Sequence, residues 1–222
     1  MRLSTDDRPR GVFVTGTDTG VGKTVVSALL LAAASSLGPT YYSKPVQTGD
    51  DDDTRTVSAL TGLPCVEPAY RLPLPAAPVR AASDAGIELD FQRLLRAARS
   101  GEGFAVVEGA GGVLVPLGPG RVIADLISAV ALPAVVVAST RLGTLNHTLL
   151  TVEALAHRGI PVLGVVLVGP PDPGLAALLD GLLPPGLTVI AEVSPAPALT
   201  RPWVTAEGER CFAALLRTWA EA

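Results

Sequence analysis

Residues 11–24 read GVFVTGTDTGVGKT: an apolar, β-branched run, then a glycine-rich turn that ends in Gly-Lys-Thr. This order, ahead of an alanine- and leucine-rich segment, predicts a buried strand, a phosphate-binding loop and a helix. Backbone N–H groups at the helix start would surround phosphate oxygens. Lys23 would reach the β- and γ-phosphates of a nucleoside triphosphate, and the Thr24 hydroxyl would hold Mg²⁺. Gly16 stands one residue further from Gly22 than in the standard spacing, so the loop is a variant.

Apolar runs and helical patterns alternate along the rest of the chain. Six runs are continuous and β-branched, as expected for strands buried on both faces, and cover residues 11–15, 40–44, 104–108, 134–139, 162–168 and 187–192. Helical patterns cover residues 22–36, 53–61, 88–99, 122–131, 145–158, 172–183 and 206–220. The alternation predicts an α/β, P-loop NTPase-like fold: a single domain over residues 1–222 with a mainly parallel sheet flanked by helices. The proline- and alanine-rich stretch 63–87 predicts an ordered surface loop, with a flexible lid as the alternative.

Lys23 and Lys44 are the two lysines among seventeen basic residues. An ammonium differs from a guanidinium in reach and hydration, which indicates that both positions require lysine. Lys44 ends a strand that we expect beside the first one, so it would point into the crevice of the phosphate loop. There it would neutralise charge that develops on a transferred phosphoryl group. Thr48, in the same KPVQTG segment, would hydrogen-bond a substrate.

Two acidic positions are candidate Mg²⁺ ligands. Four aspartates occupy positions 50–53, and Asp53 is best placed because it directly precedes a helical pattern. Asp51 or Asp52 could take its place, and a solvated turn is the alternative without a metal. Glu108 ends the FAVVE strand before a glycine turn, where phosphate-loop enzymes carry a second acidic ligand. The alternative for Glu108 is a buried strand end.

A further polar segment follows the fourth strand. Gly143, Thr144 and Asn146 begin a helical pattern and could present free N–H groups to an anion, although an ordinary helix cap explains the same residues. His147 and His157 have no metal-like pairing. The sequence contains neither a Gly-x-Ser-x-Gly elbow nor a Cys/His pair with local context, so hydrolase and amidotransferase chemistry lacks support.

Composition narrows the classes of protein. A net charge of −4 provides no basic field for nucleic acid or anionic lipid. Cys65 and Cys211 are too few for a disulfide scaffold and form no zinc pattern. The charged start MRLSTDDRPR does not resemble a secretory leader, and Asp125 and Pro133 interrupt the longest apolar stretch. We therefore expect a cytoplasmic protein that binds neither nucleic acid nor membranes.

Four motifs together resemble those of dethiobiotin synthetases, the ATP-dependent carboxylases of biotin synthesis. They are FVTGTDTGVGKT, KPVQTG, VVEGAGG and LGTLNHTLLT, in the order of that family between residues 11 and 170. The resemblance implies a ligase that uses 7,8-diaminopelargonic acid, CO₂ or bicarbonate, and ATP. One amine captures CO₂ as a carbamate, and a carbamate oxygen attacks the γ-phosphate to give a carbamic–phosphoric anhydride. The second amine then closes the ureido ring as phosphate leaves.

The resemblance also implies roles for individual residues. Lys23 and Lys44 would be catalytic, on either side of the phosphoryl group and the carbamate. Mg²⁺ would bind Thr24, Asp53 and Glu108. The nucleotide would contact Gly20, Val21, Gly22, Lys23, Thr24, Val25, Glu108, Val168 and Gly169. The family is a homodimer with its sites at the interface, and the substrate would contact Thr48 and, from the second subunit, the helix start Gly143, Thr144, Leu145 and Asn146.

The segment after the fifth strand departs from the family pattern. Family members can carry an asparagine there that reads the adenine base, whereas this chain has Val168-Gly169-Pro170-Pro171. Other nucleoside triphosphates therefore remain open as co-substrates. Later contacts with the base and ribose would lie around residues 193–196.

Three rival interpretations share parts of these patterns. A switch ATPase of the septum-positioning or plasmid-partition kind would carry a second lysine early in the loop, where this chain has Asp18. A cobyric-acid-type synthetase is normally fused to a glutaminase domain, for which 222 residues leave no room. A catalytically dead homologue is disfavoured because both lysines and Glu108 are present.

Overall fold

The computed structural model describes the backbone of residues 10–220 and the side chains of residues 10–217. The strands are β1 Gly11–Gly16, β2 Thr40–Ser43, β3 Val46–Thr48, β4 Cys65–Val66, β5 Tyr70–Leu72, β6 Phe104–Gly112, β7 Pro116–Gly118, β8 Arg121–Val122, β9 Ala134–Ser139, β10 Val162–Val168 and β11 Val189–Val193. The helices are α1 Lys23–Ala34, α2 Asp53–Thr61, α3 Pro78–Asp84, α4 Phe91–Ala98, α5 Ile123–Val130, α6 Thr144–Ala156, α7 Leu175–Asp180 and α8 Arg201–Ala220. Most of the charged start, for which the sequence predicts no secretory leader, lies in residues 1–9, outside the described residues.

Seven strands form one parallel sheet in the order β11-β10-β9-β1-β6-β2-β4. This confirms the predicted fold, a mainly parallel sheet flanked by helices. One expected neighbour is wrong: β2 does not lie beside β1, because β6 lies between them and pairs with both. The centre of a parallel sheet is buried on both faces, which favours the long apolar run of β6 over the four residues of β2. As a consequence, Glu108 pairs directly with Val14, two residues before the end of β1.

Helices cover both faces of this sheet. Helices α1, α2 and α8 pack on one face, where Val12 and Val14 of β1 are buried. Helices α3 to α7 pack on the other face, where Phe13 is buried. Both faces of β1 are therefore inside the core, which explains why its sequence is continuously apolar instead of alternating.

The stretch 63–87 is more structured than an ordered surface loop, and that prediction is wrong in detail. It contains β4, β5 and α3, and β5 pairs in parallel with β3. Strands of two or three residues are too short to produce a periodic pattern. Pro78 opens α3 at a position where a helix tolerates proline, because the missing N–H would have no partner there.

Three of the remaining predicted elements, α2, β9 and β10, have the predicted bounds, and the others are found with shifted ends. The largest shift is at α8, which begins at Arg201 instead of residue 206, with Pro202 in its first turn. β6 continues through the glycine turn to Gly112. Between residues 10 and 220, no helix combines the length and the apolar character needed to cross a membrane.

Candidate active site

The glycine-rich loop joins β1, which ends at Gly16, to α1, which begins at Lys23. Gly22 precedes the helix with a φ of 98°, a left-handed conformation that glycine adopts without strain. A Cβ on Gly22 would also lie 2.8 Å from Cγ1 of Val168. Within the described residues no side chain caps α1, so its first N–H groups are left for a ligand such as phosphate. Lys23 is buried and donates from Nζ to the Asp18 carbonyl across the loop at 2.8 Å.

Thr24, Lys44, Asp53 and Glu108 form a polar group beside this loop, which we term the carboxylate cluster. They come from the start of α1, the end of β2, the start of α2 and the middle of β6. The Thr24 hydroxyl donates to Oδ1 of Asp53 at 2.6 Å and lies 3.3 Å from Oε1 of Glu108. The Lys44 ammonium donates to Oε1 of Glu108 at 2.9 Å and forms a second ion pair with Oδ2 of Asp53. The fold thus brings together four residues that the sequence singles out separately.

Burial and neighbouring charges act in opposite directions on the pKa values of Lys44, Asp53 and the nearby Lys23. Burial alone would lower the pKa of Lys44, but Glu108 and Asp53 outweigh that effect and raise it. Burial would raise the pKa of Asp53, but the Lys44 ammonium holds it below its usual value. The pKa of Lys23 is lowered by burial, which the Glu108 charge only partly offsets. Lys44 is therefore an ammonium and Asp53 a carboxylate at neutral pH.

The donor atoms of the cluster suit a hard cation. A hydroxyl and two carboxylates are oxygen ligands of the type that Mg²⁺ takes in phosphate-binding sites, where it also keeps water and phosphate oxygens. No group of three or more His, Cys, Asp and Glu side chains that could hold a metal occurs among the described residues. Thr24, Asp53 and Glu108 thus fit a cation shared with a nucleotide better than a dedicated all-protein metal cage.

Geometry separates Asp53 from its neighbours in the aspartate run. Asp52 precedes α2, and its Oδ1 accepts the backbone N–H of Arg55 at 2.9 Å. Its Oδ2 pairs with Arg71 at 3.0 Å. Asp51 is exposed. Among these residues it is the Asp53 carboxylate that contacts Thr24.

Sequence reasoning missed two side chains that hydrogen-bond to Glu108. Tyr42 in β2 donates its hydroxyl to Oε2 of Glu108 at 2.9 Å, and Ser27 in α1 donates to the same oxygen at 2.8 Å. Burial, and then the Glu108 charge, raise the pKa of Tyr42 well above its usual value, so its hydroxyl stays protonated and can donate. No sequence signal marks these contacts, because they depend on the order of strands in the sheet.

Gln47 is a second residue that sequence reasoning missed. It is buried, its Oε1 accepts the backbone N–H of Asp53 at 3.4 Å, and its Nε2 donates to the Thr48 carbonyl at 3.3 Å. Gln47 therefore links the segment that carries Thr48 to the start of α2. The one sequence feature that could have indicated Gln47 is its position within KPVQTG, between Lys44 and Thr48.

Val168 and Gly169 lie beside the phosphate loop, at the end of β10. The Val168 carbonyl accepts the N–H of Thr140 at 3.2 Å, and the Gly169 N–H donates to the Val193 carbonyl at 3.1 Å. These backbone groups are thus already hydrogen-bonded within the fold. The other loop residues expected to contact nucleotide lie between β1 and the first turn of α1: Gly20, Val21 and Val25.

The predicted anion-binding helix start lies after β9. Gly143 precedes α6 with a φ of 96°, and no described side chain caps the helix. The Thr144 hydroxyl is buried without a hydrogen-bond partner, Leu145 is half-buried and Asn146 is exposed. Leu142, next to this start, is fully exposed. Within the described chain no hydrogen bond joins these residues to the carboxylate cluster.

Comparison with known proteins decides between the rival interpretations. A protein-family model described as "AAA domain" matches residues 10–203. An ATP-dependent dethiobiotin synthetase (BioD) from Paramagnetospirillum magneticum is 42% identical over 194 residues, which cover 86% of this chain and 91% of the relative. The chain belongs to the ATP-dependent dethiobiotin synthetase family. The similarity extends over most of both chains, so it is not confined to the phosphate loop.

Other relatives carry related names. A dethiobiotin synthetase from Mycobacteroides abscessus is 46% identical over 177 residues, or 76% of this chain and 78% of the relative. A biotin biosynthesis bifunctional protein, BioCD, from Bordetella avium is 50% identical over 171 residues, or 74% of this chain. This dethiobiotin synthetase-family chain spans 36% of the length of that bifunctional protein.

Solved structures confirm the P-loop architecture of this dethiobiotin synthetase-family chain. A ParA-family ATPase from Chlorobium tepidum superposes with a TM-score of 0.58 over 97% of this chain and 94% of that one, at 12% identity. The MinC:MinD complex from Aquifex aeolicus gives a TM-score of 0.58 over 96% of both chains, at 10% identity. At such low identity the likeness concerns the fold alone. It therefore gives no support to the switch-ATPase interpretation.

Proposed function

We propose that this chain is a Mg²⁺-dependent ligase that converts 7,8-diaminopelargonic acid, CO₂ and a nucleoside triphosphate into dethiobiotin, a nucleoside diphosphate and phosphate. Family membership gives the reaction. The observation that carries the proposal is the position of Lys44, a buried ammonium held between two carboxylates beside the phosphate loop. A compact, fixed positive charge is what a phosphoryl transfer between two anions requires.

The proposed reaction needs positioning and charge stabilisation, with no covalent bond to the protein. A carbamate formed on one amine carries its negative charge toward a γ-phosphate that is also negative. Lys23 and Lys44 would reduce this repulsion and stabilise the charge that builds up during transfer. The second amine then attacks the carbamoyl carbon, and the fixed geometry favours ring closure over loss of the anhydride to water.

The nucleotide would lie along the loop and the start of α1. Its phosphates would meet the backbone of Gly20–Val25, and Thr24, Asp53 and Glu108 would hold Mg²⁺, which neutralises phosphate charge when bound. The base would lie near Val168 and Gly169. Because the Val168 carbonyl and the Gly169 N–H are already paired, these two groups have little capacity to read a base edge. We therefore propose that ATP is a co-substrate and that other nucleoside triphosphates are accepted too.

The diamine would bind near Thr48, with its tail carboxylate at a helix start Gly143–Asn146 from a second subunit. Two features support a homodimer completed in this way: the uncapped start of α6 and the fully exposed Leu142 beside it. We further propose that the chain works as a single domain in the cytoplasm, where ATP and Mg²⁺ are supplied.

Phosphate release tests the proposed function. The protein is incubated with ATP, Mg²⁺ and bicarbonate, with and without the diamine, and phosphate is measured over time. The proposal predicts release that depends on the diamine and on bicarbonate. Slow release that is indifferent to the diamine would instead indicate a switch ATPase. The same assay with CTP, GTP and UTP tests base selectivity.

A further inference from the structure

The two oxygens of the Glu108 carboxylate have different surroundings. Oε1 faces Lys44 at 2.9 Å and Thr24 at 3.3 Å, on the side of the phosphate loop. Oε2 accepts two hydroxyl hydrogen bonds, from Tyr42 at 2.9 Å and from Ser27 at 2.8 Å. The residue is 1% exposed, so no solvent competes for Oε2. Oε2 thus bonds to side chains of the protein interior, whereas Oε1 faces the candidate site.

The fold delivers both hydroxyls to the same place. Ser27 lies three residues after Thr24 on α1, so the two side chains share one helix face. Tyr42 in β2 pairs with Val106 of β6, and Glu108 follows two residues later on the same side of the sheet. Tyr42, Ser27 and Glu108 therefore meet in the layer between the sheet and α1.

We infer that Tyr42 and Ser27 are positioning residues that orient Glu108 so that Oε1 is presented to the metal–nucleotide complex. A buried carboxylate without partners would be unstable and free to rotate. Two neutral hydroxyl donors stabilise it without cancelling its charge, whereas a second cation would remove the charge that attracts Mg²⁺. This inference rests on the proposed function only in that Glu108 serves a bound metal.

Tyr41 provides a matched control within the same strand. It is also buried and its hydroxyl also donates one hydrogen bond, to the Ala98 carbonyl at 3.0 Å. Because successive side chains of a strand alternate, Tyr41 lies on the opposite face of the sheet from Glu108. Tyr41→Phe and Tyr42→Phe thus each remove one buried tyrosine hydrogen bond, but only the second affects the carboxylate.

The test measures Mn²⁺ binding to the ADP complex by electron paramagnetic resonance, with Mn²⁺ as the probe for Mg²⁺. Tyr42→Phe is expected to weaken Mn²⁺ binding by about tenfold, at the lower end of what loss of an outer partner of a metal ligand causes. Tyr41→Phe is expected to keep the wild-type Mn²⁺ affinity within about twofold. Its melting temperature should fall about as much as that of Tyr42→Phe, because each variant loses one buried hydrogen bond. Ser27→Ala is a second variant, with an expected loss in the same direction, should Tyr42→Phe fold poorly.

Activity provides an independent readout. The Mg²⁺ concentration for half-maximal rate should rise in Tyr42→Phe, and saturating Mg²⁺ should restore most of the rate. Wild-type Mn²⁺ affinity in both Tyr42→Phe and Ser27→Ala would overturn the inference, as would equal losses in Tyr41→Phe and Tyr42→Phe or no Mn²⁺ binding by the wild type. A wild-type protein that forms no dethiobiotin but shows the predicted Mn²⁺ pattern would refute the proposed function and support the positioning role.

Discussion

The ammonium of Lys44 lies 2.9 Å from Oε1 of Glu108, and both side chains are almost completely shielded from solvent. The two residues are 64 positions apart in the chain. Their contact exists because β6 and β2 are neighbours in the sheet and both end at its carboxyl edge. This pair links β6 to the KPVQTG segment, and the first prediction below depends on it.

Lys44→Ala should reduce the rate of dethiobiotin formation by at least about a hundredfold, because a fixed charge at the transferred phosphoryl group would be lost. It should also lower the free energy of unfolding by about 3 kcal/mol, since removing one partner leaves two largely buried carboxylates unpaired. Steady-state kinetics and urea unfolding measure the two effects. Arg71→Ala, which removes a surface cation from Asp52, is the control and should keep the rate. A near-normal rate in Lys44→Ala would remove Lys44 from the mechanism.

Asp53→Asn and Asp52→Asn should behave differently although they are adjacent. Asp53→Asn should raise the Mg²⁺ concentration for half-maximal activity by about tenfold or more, because it removes an anionic oxygen from the cluster. Asp52→Asn should leave that concentration unchanged, because asparagine caps a helix as well as aspartate does. Mg²⁺ titrations of both variants decide the matter. The reverse pattern would assign the metal to Asp52.

Asn146→Ala should raise the Michaelis constant for the diamine more than that for ATP, since this residue belongs to the proposed tail-carboxylate site. Glu153→Ala, an exposed change further along α6, is the matched control and should alter neither constant. Both constants come from initial rates at varied diamine and varied ATP. An unchanged diamine constant in Asn146→Ala would count against the tail-carboxylate assignment.

The two cysteines should alkylate slowly in the folded protein. Burial, and then the Glu67 charge, raise the pKa of Cys65 to about 11, and burial, only partly offset by Arg210, raises that of Cys211 to about 11. The reactive thiolate is therefore scarce at about pH 8 and should increase about tenfold per pH unit until the pH nears the pKa. Iodoacetamide labelling across this range, with Cys65→Ser and Cys211→Ser to assign each site, measures the dependence. Labelling rates that level off near pH 9 would show that the thiol pKa values are not raised, which would contradict the prediction.

Sequence reasoning singled out side chains that the fold brings together, because each stands at a chemically marked junction. Lys23 follows a glycine loop, and Lys44 and Glu108 stand at or near the ends of apolar runs. Such junctions lie at the carboxyl edge of a parallel sheet whatever the strand order. Asp53 was harder to choose within its acidic run. The structure separates the two residues, because Asp52 caps α2 whereas Asp53 contacts Thr24.

Contacts that depend on strand order could not be predicted from the sequence. The insertion of β6 between β1 and β2 could not be read from local patterns, and so the contact of Tyr42 with Glu108, 66 residues away, was missed. The contact of Ser27 with Glu108 spans 81 residues and depends on the same arrangement. Short strands in the stretch 63–87 were missed for another reason: two or three residues carry no periodicity.

Incorporation of ¹³C-bicarbonate into product tests the central claim most directly. The protein is incubated with ATP, Mg²⁺, 7,8-diaminopelargonic acid and labelled bicarbonate, and the products are analysed by mass spectrometry. The proposed carboxylation and ring closure predict dethiobiotin that is heavier by a single mass unit, with phosphate formed in equal amount, and none without ATP. Consumption of ATP without labelled dethiobiotin would contradict the account.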